Sequence, residues 1–254
     1  MTIRISNRDW DELWNESIYK GSISEHINGG DRILQGNVGD LCQVYDRRVQ
    51  LHNGLDLHIY NYEPLDTLII SSPSGICSRF VLSFFVTGNV NTTLHPILDD
   101  VAECAGKNYL CCHSGIRETE SWQAGHKILR VRVLVKPQDL FATFGTEWVE
   151  QLSPDLQSLI IGDKKQPYYY LGNTTLQMQQ AVQQILNCPY QGSLKQMYLE
   201  SKALELITLR FARLLEESNW ITNRTQLKPD DIDRILGQKT YSPLSLTIHR
   251  LLPN

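Results

Sequence analysis

The sequence predicts an α+β fold in which short β-strands come first, as a sandwich or barrel, and a helical layer with an antiparallel helix pair follows. Three observations carry this expectation. Between Asp40 and Lys136, apolar residues recur at every second position in short runs separated by Asn-Gly, Gly-Asn and Ser-Gly turn pairs, as in proteins built of many short strands. After Pro137 the apolar period lengthens to that of a helix. Leu194 to Glu217 holds neither Gly nor Pro and carries two apolar stripes, so it reads as a long helix with two faces to bury.

The chain opens on Thr2-Ile3-Arg4-Ile5, a short alternating piece. Ser6 or Asn7 then caps a helix with Asp9 in its first turn, where a carboxylate suits the helix dipole. Trp10, Leu13 and Trp14 stand at i, i+3 and i+4 and form its buried stripe; the two indoles are read as core packing rather than a ligand shelf. Tyr19 to Gln35 is rich in Gly, Ser and Asn and reads as a loop, with strands beginning near Asp40. His52-Asn53-Gly54-Leu55 is the clearest hairpin signal, because both turn residues adopt positive φ. It joins Val49–His52 to Leu55–Tyr60, whose Leu55, Leu57 and Ile59 share one face and Asp56, His58 and Tyr60 the other. Strands follow at Thr67 to Ser71, at Arg79 to Thr87 and, last, at Lys127 to Lys136. In that last strand Leu129, Val131, Val133 and Val135 point one way, and Ile128, Arg130, Arg132 and Leu134 the other.

Pro137 to Phe144 and Ser153 to Ile160 begin like helices, with proline in the first turn. Tyr168-Tyr169-Tyr170 is expected to pack the helical layer onto the strands. A helix from Thr174 to Leu186, capped by Asn173, stops before Pro189. Ser193 opens the next helix, with Gln196 placed to close a capping box. On that helix Met197, Leu204, Ile207, Phe211 and Leu214 form one stripe, and Leu199, Ala203, Leu206 and Arg210 a second.

Composition narrows the function. With 254 residues, 41% hydrophobic and 20% charged, the chain suits a globular protein with a sizeable core. A net charge of −4 offers no electrostatic footprint for nucleic acid over the whole chain. No apolar run reaches transmembrane length and the N-terminus lacks a signal-peptide pattern, so no membrane association and a cytoplasmic location are expected. The six cysteines form no C-x-x-C pair, and Cys111-Cys112-His113 on a strand would point to opposite faces; they read as buried thiols, with no metal and no cofactor. Among the seven histidines there is no His-x-His pair, and no G-x-S-x-G, H-E-x-x-H or phosphate-cradling glycine loop occurs. Glu118, Glu120 and His113 read as a solvated turn. No catalytic residues are assigned.

The run Leu186 to Leu209, LNCPYQGSLKQMYLESKALELITL, resembles the effector-domain end of AraC-type transcription regulators of the PchR-like (pyochelin-regulator) branch. The likeness is specific from Leu186 to Leu206, looser back to Asp40, and extends through Leu227-Lys228-Pro229-Asp230-Asp231-Ile232 to Ile235. It implies a cupin-like β-barrel whose mouth holds a small-molecule effector of the ferric-siderophore kind. It implies too a homodimer made by the helix pair, and a helix-turn-helix DNA-binding domain beyond. The domains expected on this basis are 1–172, an N-terminal helix, effector-binding barrel and connecting helices; 173–222, the dimerisation helices; and 223–254, a linker and remnant of the DNA-binding domain. Arg224 to Asn254 holds five Lys/Arg against three Asp, so this chain by itself is expected to lack sequence-specific DNA affinity. A stand-alone cupin-like binding protein, or a short form acting through mixed dimers, is the alternative.

Candidate site residues follow from the strand faces. His58, Tyr60, Arg130 and Arg132 either face solvent, as charges on a half-buried sheet do, or look into a barrel mouth, where they would orient an anionic, aromatic-rich effector. Met197, Leu204, Ile207 and Phe211 are the candidate dimer anchors.

Overall fold

The computed structural model describes residues 1–225 except 53, 74–78, 96–97, 113–115 and 162–167. Of the residues singled out above, Asn53, Cys77, His113, Ser114, Gly115 and everything after Thr225 lie outside the described part. In chain order the elements are β1 (Thr2–Ser6), α1 (Asn7–Tyr19), β2 (Ile23–Asn28), β3 (Asp31–Val38), β4 (Cys42–Gln50), β5 (Asp56–Pro64), β6 (Thr67–Ser72), β7 (Phe80–Thr87) and β8 (Asn89–His95). Then come β9 (Leu98–Cys104), β10 (Lys107–Cys112), β11 (Arg117–Trp122), β12 (Ile128–Val135), α2 (Pro137–Phe144), α3 (Pro154–Ile161), β13 (Tyr168–Asn173), α4 (Leu176–Leu186) and α5 (Gly192–Thr225).

The strands form a large sheet, ordered β13-β10-β7-β12-β5-β4-β3-β2, and a smaller one, ordered β1-β6-β11-β8-β9. The period-2 alternation divides each large-sheet strand between two cores. Leu57, Ile59, Phe80, Leu82, Phe84, Val131, Val133 and Val135 face a core shared with Met178, Val182, Ile185, Leu199, Ala203, Leu206 and Phe211 of the helices. Val44, Tyr62, Phe85, Tyr109 and Ile128, on the opposite face, share a second core with Leu68, Ile70, Val90 and Trp122 of the smaller sheet and with Trp10 of α1. The architecture is thus α+β, a cupin-like two-sheet barrel with a helical layer on one face and α1 at the other.

Local chemistry sets the element boundaries. Ser6 caps α1 through a complete capping box with Asp9. The β4–β5 hairpin closes with Leu51 N–H donating to the Leu55 carbonyl at 2.9 Å. Gly54 in its turn has φ +69, and the Asp139 carboxylate of α2 occupies the place a Cβ would take, so the turn needs glycine twice over. Pro137 and Pro154 stand at the first positions of α2 and α3. The residues between α4 and α5, around Pro189, bring the chain back, and the two helices pack on one another as the expected antiparallel pair.

Three expectations need correction and one, for the triple tyrosine, is extended. Tyr19 to Gln35 is not a loop: β2 and β3 pair there in register from Ile23 opposite Gly36 to Asn28 opposite Asp31. β2 is a sheet edge buried only at Ile23, so it lacks the apolar alternation that marks a half-buried strand. The triple tyrosine is not merely a packing spacer but the start of β13, paired antiparallel with β10; Tyr168 and Tyr170 pack on the helical core, Tyr169 on the inter-sheet core. Asn173 ends that strand, and the cap of α4 is Thr175, whose hydroxyl accepts from Met178 N–H at 3.3 Å. Glu118 and Glu120 are not in a solvated turn but on β11, between β6 and β8.

Candidate ligand site between the sheets

The inner face of the large sheet carries two rows of polar residues across β4, β5 and β12. Arg48 stands opposite His58, His58 opposite Arg132, and Arg132 opposite Ser83 of β7. In the next row Asp46 stands opposite Tyr60, and Tyr60 opposite Arg130. Long side chains on one sheet face reach across a strand spacing, so these groups meet in front of the sheet. The smaller sheet answers with Glu118, Glu120 and Trp122 from β11, and α1 closes the end with Asn7, Trp10 and Asp11. Together with Arg48, Tyr60, Tyr62, Arg130 and Arg132 they line a cavity of about 220 Å³.

Arg130 is locked. Its two Nη atoms donate to Glu120 Oε1 and Oε2 at 2.7 and 3.1 Å, its guanidinium lies 5.0 Å from the Phe85 ring centroid, and it is 4% exposed. Trp122 Nε1 adds a 2.8 Å bond to Glu120. Arg132 is held more loosely, over Tyr60 at 5.2 Å, with Ser83 Oγ at 3.4 Å and Glu120 at 3.8 Å. Arg48 donates through Nε to Asp46 at 2.9 Å and keeps 46% of its side chain exposed. Asp46 is fully buried and also accepts from the Tyr62 hydroxyl at 2.7 Å.

This placement separates the titrations of neighbouring groups. Burial alone would raise Glu120, but the Arg130 guanidinium overrides it and holds the carboxyl at about 2. Glu118 lacks such a partner: burial, then the Glu120 carboxylate beside it, push it up to about 7 against the pull of Arg132. Burial and the Arg48 guanidinium drive His58 down to about 4, so its ring, bonded through Nδ1 to the Tyr60 hydroxyl at 2.9 Å, is neutral at pH 7. Glu103 of β9, unexposed and raised by burial, accepts from Tyr169 at 2.7 Å and Thr92 at 3.0 Å. What remains incompletely committed toward the cavity is the Nη edge of Arg48, the loosely held Arg132 guanidinium and the Glu118 carboxyl, framed by Trp10, Trp122, Tyr60 and Tyr62. Such a set grips an oxyanion with two arginines, offers one switchable carboxyl, and presents ring faces and edges to a planar group.

His58, Tyr60, Arg130 and Arg132 therefore lie on the inner face, not toward solvent. Arg130 is spent on Glu120, and His58 sits behind Tyr60 rather than on the cavity wall. Sequence reasoning overlooked Arg48, Asp46, Glu118, Glu120 and the cavity side of Trp10. The one signal for Asp46 and Arg48 was their phase with Val44 on β4, masked by the charged Arg47 on the opposite face. The candidate dimer anchors divide. Met197 is 64% exposed, while Ile207 and Phe211 are 5% and 7% exposed. Leu204 is partly buried. Phe211 packs edge-on against Phe80 at 6.3 Å and Trp148 at 5.1 Å, so its stripe is largely covered within the chain. The second stripe is the deeper one: Leu199, Ala203 and Leu206 are unexposed, and Arg210, 1% exposed, donates to the Tyr170 carbonyl at 3.2 Å.

Among the described residues no group of three His, Cys, Asp or Glu is placed to hold a metal ion, and no helix is long and apolar enough to cross a membrane. Residues 42–227 match the family described as "Regulatory protein PchR N-terminal domain". No curated protein matches the sequence. Among solved structures, the AraC-like transcriptional activator CuxR is similar at 12% identity and TM-score 0.45, over 89% of this chain and 80% of that one. KdgF from Halomonas sp. is similar at 10% identity and TM-score 0.31, over 42% of this chain and 89% of that one. The Cnp3 cupin domain of Schizosaccharomyces pombe is similar at 8% identity and TM-score 0.31, over 41% and 69% respectively.

Proposed function

The chain belongs to the family of PchR-type regulatory N-terminal domains of AraC-type transcriptional regulators, and from that membership we propose that it senses a small anionic effector in the cavity between its sheets. The observation that carries the proposal is the pair of incompletely committed arginines, Arg48 and Arg132, framed by four aromatic residues in a recess between the sheets that opens to solvent at Arg48. An oxyanion seated there gains charge-assisted hydrogen bonds, screened less at the deeper Arg132 than at the more exposed Arg48. The effector class is the ferric siderophore of the pyochelin kind, whose anionic oxygens and aromatic rings suit these groups. A cavity of about 220 Å³ is smaller than most drug-sized pockets, so a bulky effector displaces α1, which supplies Asn7, Trp10 and Asp11 to its wall.

In this reading residues 1–172 sense and residues 173–222 dimerise, through the exposed Leu194 and Met197 side of α5. The protein is a cytoplasmic, non-enzymatic regulator of iron-responsive genes. Trp10 and Trp122 at the cavity supply the test. A ferric siderophore bearing an aryl group should quench tryptophan fluorescence saturably, the iron-free form less, and Arg132→Met should weaken the effect at least tenfold, the size expected for one lost charge-assisted bond. Quenching that is unsaturable, or equal in wild type and Arg132→Met, refutes the proposal.

A further inference from the structure

Three consecutive residues of β4 serve both sides of the large sheet. Asp46 and Arg48 face the inter-sheet side, where Arg48 lines the cavity and Asp46 is buried beside it. Arg47, between them, faces the helical side, where its Nε and Nη2 make three contacts of 2.9 to 3.2 Å with the Asp31 carboxylate of β3. The same carboxylate takes the ammonium of Lys195 in the first turns of α5. Asp31 and Arg47 are 9% and 8% exposed while Lys195 is partly exposed, and Arg47 and Lys195 pull the Asp31 carboxyl below its usual range despite burial. One turn further along α5, Glu200 accepts from His52 Nδ1, just past β4, at 2.8 Å. The start of α5 is therefore tied to the strand pair β3–β4 by ions, while its middle is held by apolar packing.

Arg48 is the least buried member of the cavity's arginines, and Asp46 is its ion partner. An anionic group that draws the Arg48 guanidinium leaves Asp46 with the Tyr62 hydroxyl alone. A buried carboxylate stripped of its ion partner is unfavourable, so the backbone at 46–48 readjusts, and Arg47, at the centre of that segment, moves with it. We infer that Arg48 reads the occupancy of the cavity and that β4 passes it, through Arg47 and Asp31, to Lys195 at the start of α5. The inference rests on the cavity being the effector site, and it places the output at the helix proposed to dimerise. Coupling is reciprocal, so loosening the Lys195 anchor also changes the cavity.

Amide hydrogen exchange on the full chain tests the path without any effector. Arg48→Met should accelerate exchange about fivefold or more at residues 193–200 while leaving residues 204–214 of α5 and strand β8 unchanged. Lys195→Met should accelerate the same amides, and the double variant should go no further than Lys195→Met alone, because the path is already cut. Unchanged exchange at 193–200 in Arg48→Met overturns the inference, as does an additive double variant. A uniform acceleration through every element, in Arg48→Met and the milder Arg48→Gln alike, overturns it too, since the effect is then global stability. These outcomes are independent of the effector, so a failed siderophore titration and a failed exchange experiment point to different errors.

Discussion

Glu118 and His58 sit in one interior with displacements that act in opposite directions on stability. Glu118 titrates at about 7 in the fold against 4.5 free. A raised folded value means its contribution is fully present below pH 4.5 and lost as pH rises to 7. His58 titrates at about 4 against 6.5 free; a depressed folded value means its contribution is present above pH 6.5 and lost as pH falls to 4. Each displacement is worth about 3 to 4 kcal/mol at roughly 1.4 kcal/mol per unit, so between pH 4.5 and 6.5 the two nearly cancel. Glu103, also raised by burial, tilts the balance toward the Glu118 direction. The perturbations are Glu118→Gln and His58→Gln, and the assay is urea unfolding followed by tryptophan fluorescence at pH 4, 4.5, 5.5, 6.5 and 7. Wild-type stability minus that of Glu118→Gln should fall by about 3 to 4 kcal/mol from pH 4.5 to 7, and wild type minus His58→Gln should rise by a similar amount from pH 4 to 6.5. Curves for Glu118→Gln and wild type that stay parallel would refute the argument, because Glu118 would then titrate no differently in the folded and unfolded chain.

Phe211→Ala removes a ring packed on Phe80 and Trp148 and should cost about 3 to 5 kcal/mol, read as a lowered urea midpoint at unchanged m-value. Met197→Asp places a charge on a side chain already 64% exposed, so it should leave the urea midpoint nearly unchanged yet convert dimer to monomer in sedimentation velocity; a wild-type protein that sediments as a monomer at micromolar concentration removes the dimer proposal. The 254-residue chain carries a net charge of −4 and should give no sequence-specific mobility shift at physiological salt; a specific shifted band from the purified chain refutes this.

Where inward-facing residues are apolar, the sequence is legible. Leu57 and Ile59 on β5, and Val131, Val133 and Val135 on β12, announce both the strand and the face that meets the helices, because burial of alternate apolar groups is a local, period-2 requirement. The capping box at Ser6 and Asp9, Pro137 and Pro154 at helix starts, and the long uninterrupted α5 are likewise local signals. Where the inward face is polar, the signal fails. Arg117 to Trp122 alternates Glu118, Glu120 and Trp122 inward with Arg117, Thr119 and Ser121 outward, and no hydrophobic period separates the two sets. β2 fails for the opposite reason, being an edge with little to bury.

The sequence by itself determined the α+β order, the helix pair, most strand faces and, through the likeness around Leu186 to Leu209, the family. It also picked out four members of the polar rows, His58, Tyr60, Arg130 and Arg132, without deciding whether they met solvent or each other. Only the tertiary structure decided that. Burying Arg130 is tolerable because Glu120, on the other sheet, supplies a bidentate carboxylate, and a buried charge persists only where such a partner is brought to it. That partner comes from a strand in a different sheet, so no rule of spacing or periodicity along one strand predicts the pairing. The same holds for Arg47, whose role depends on Asp31 from β3 and Lys195 from α5, 164 residues apart in the chain.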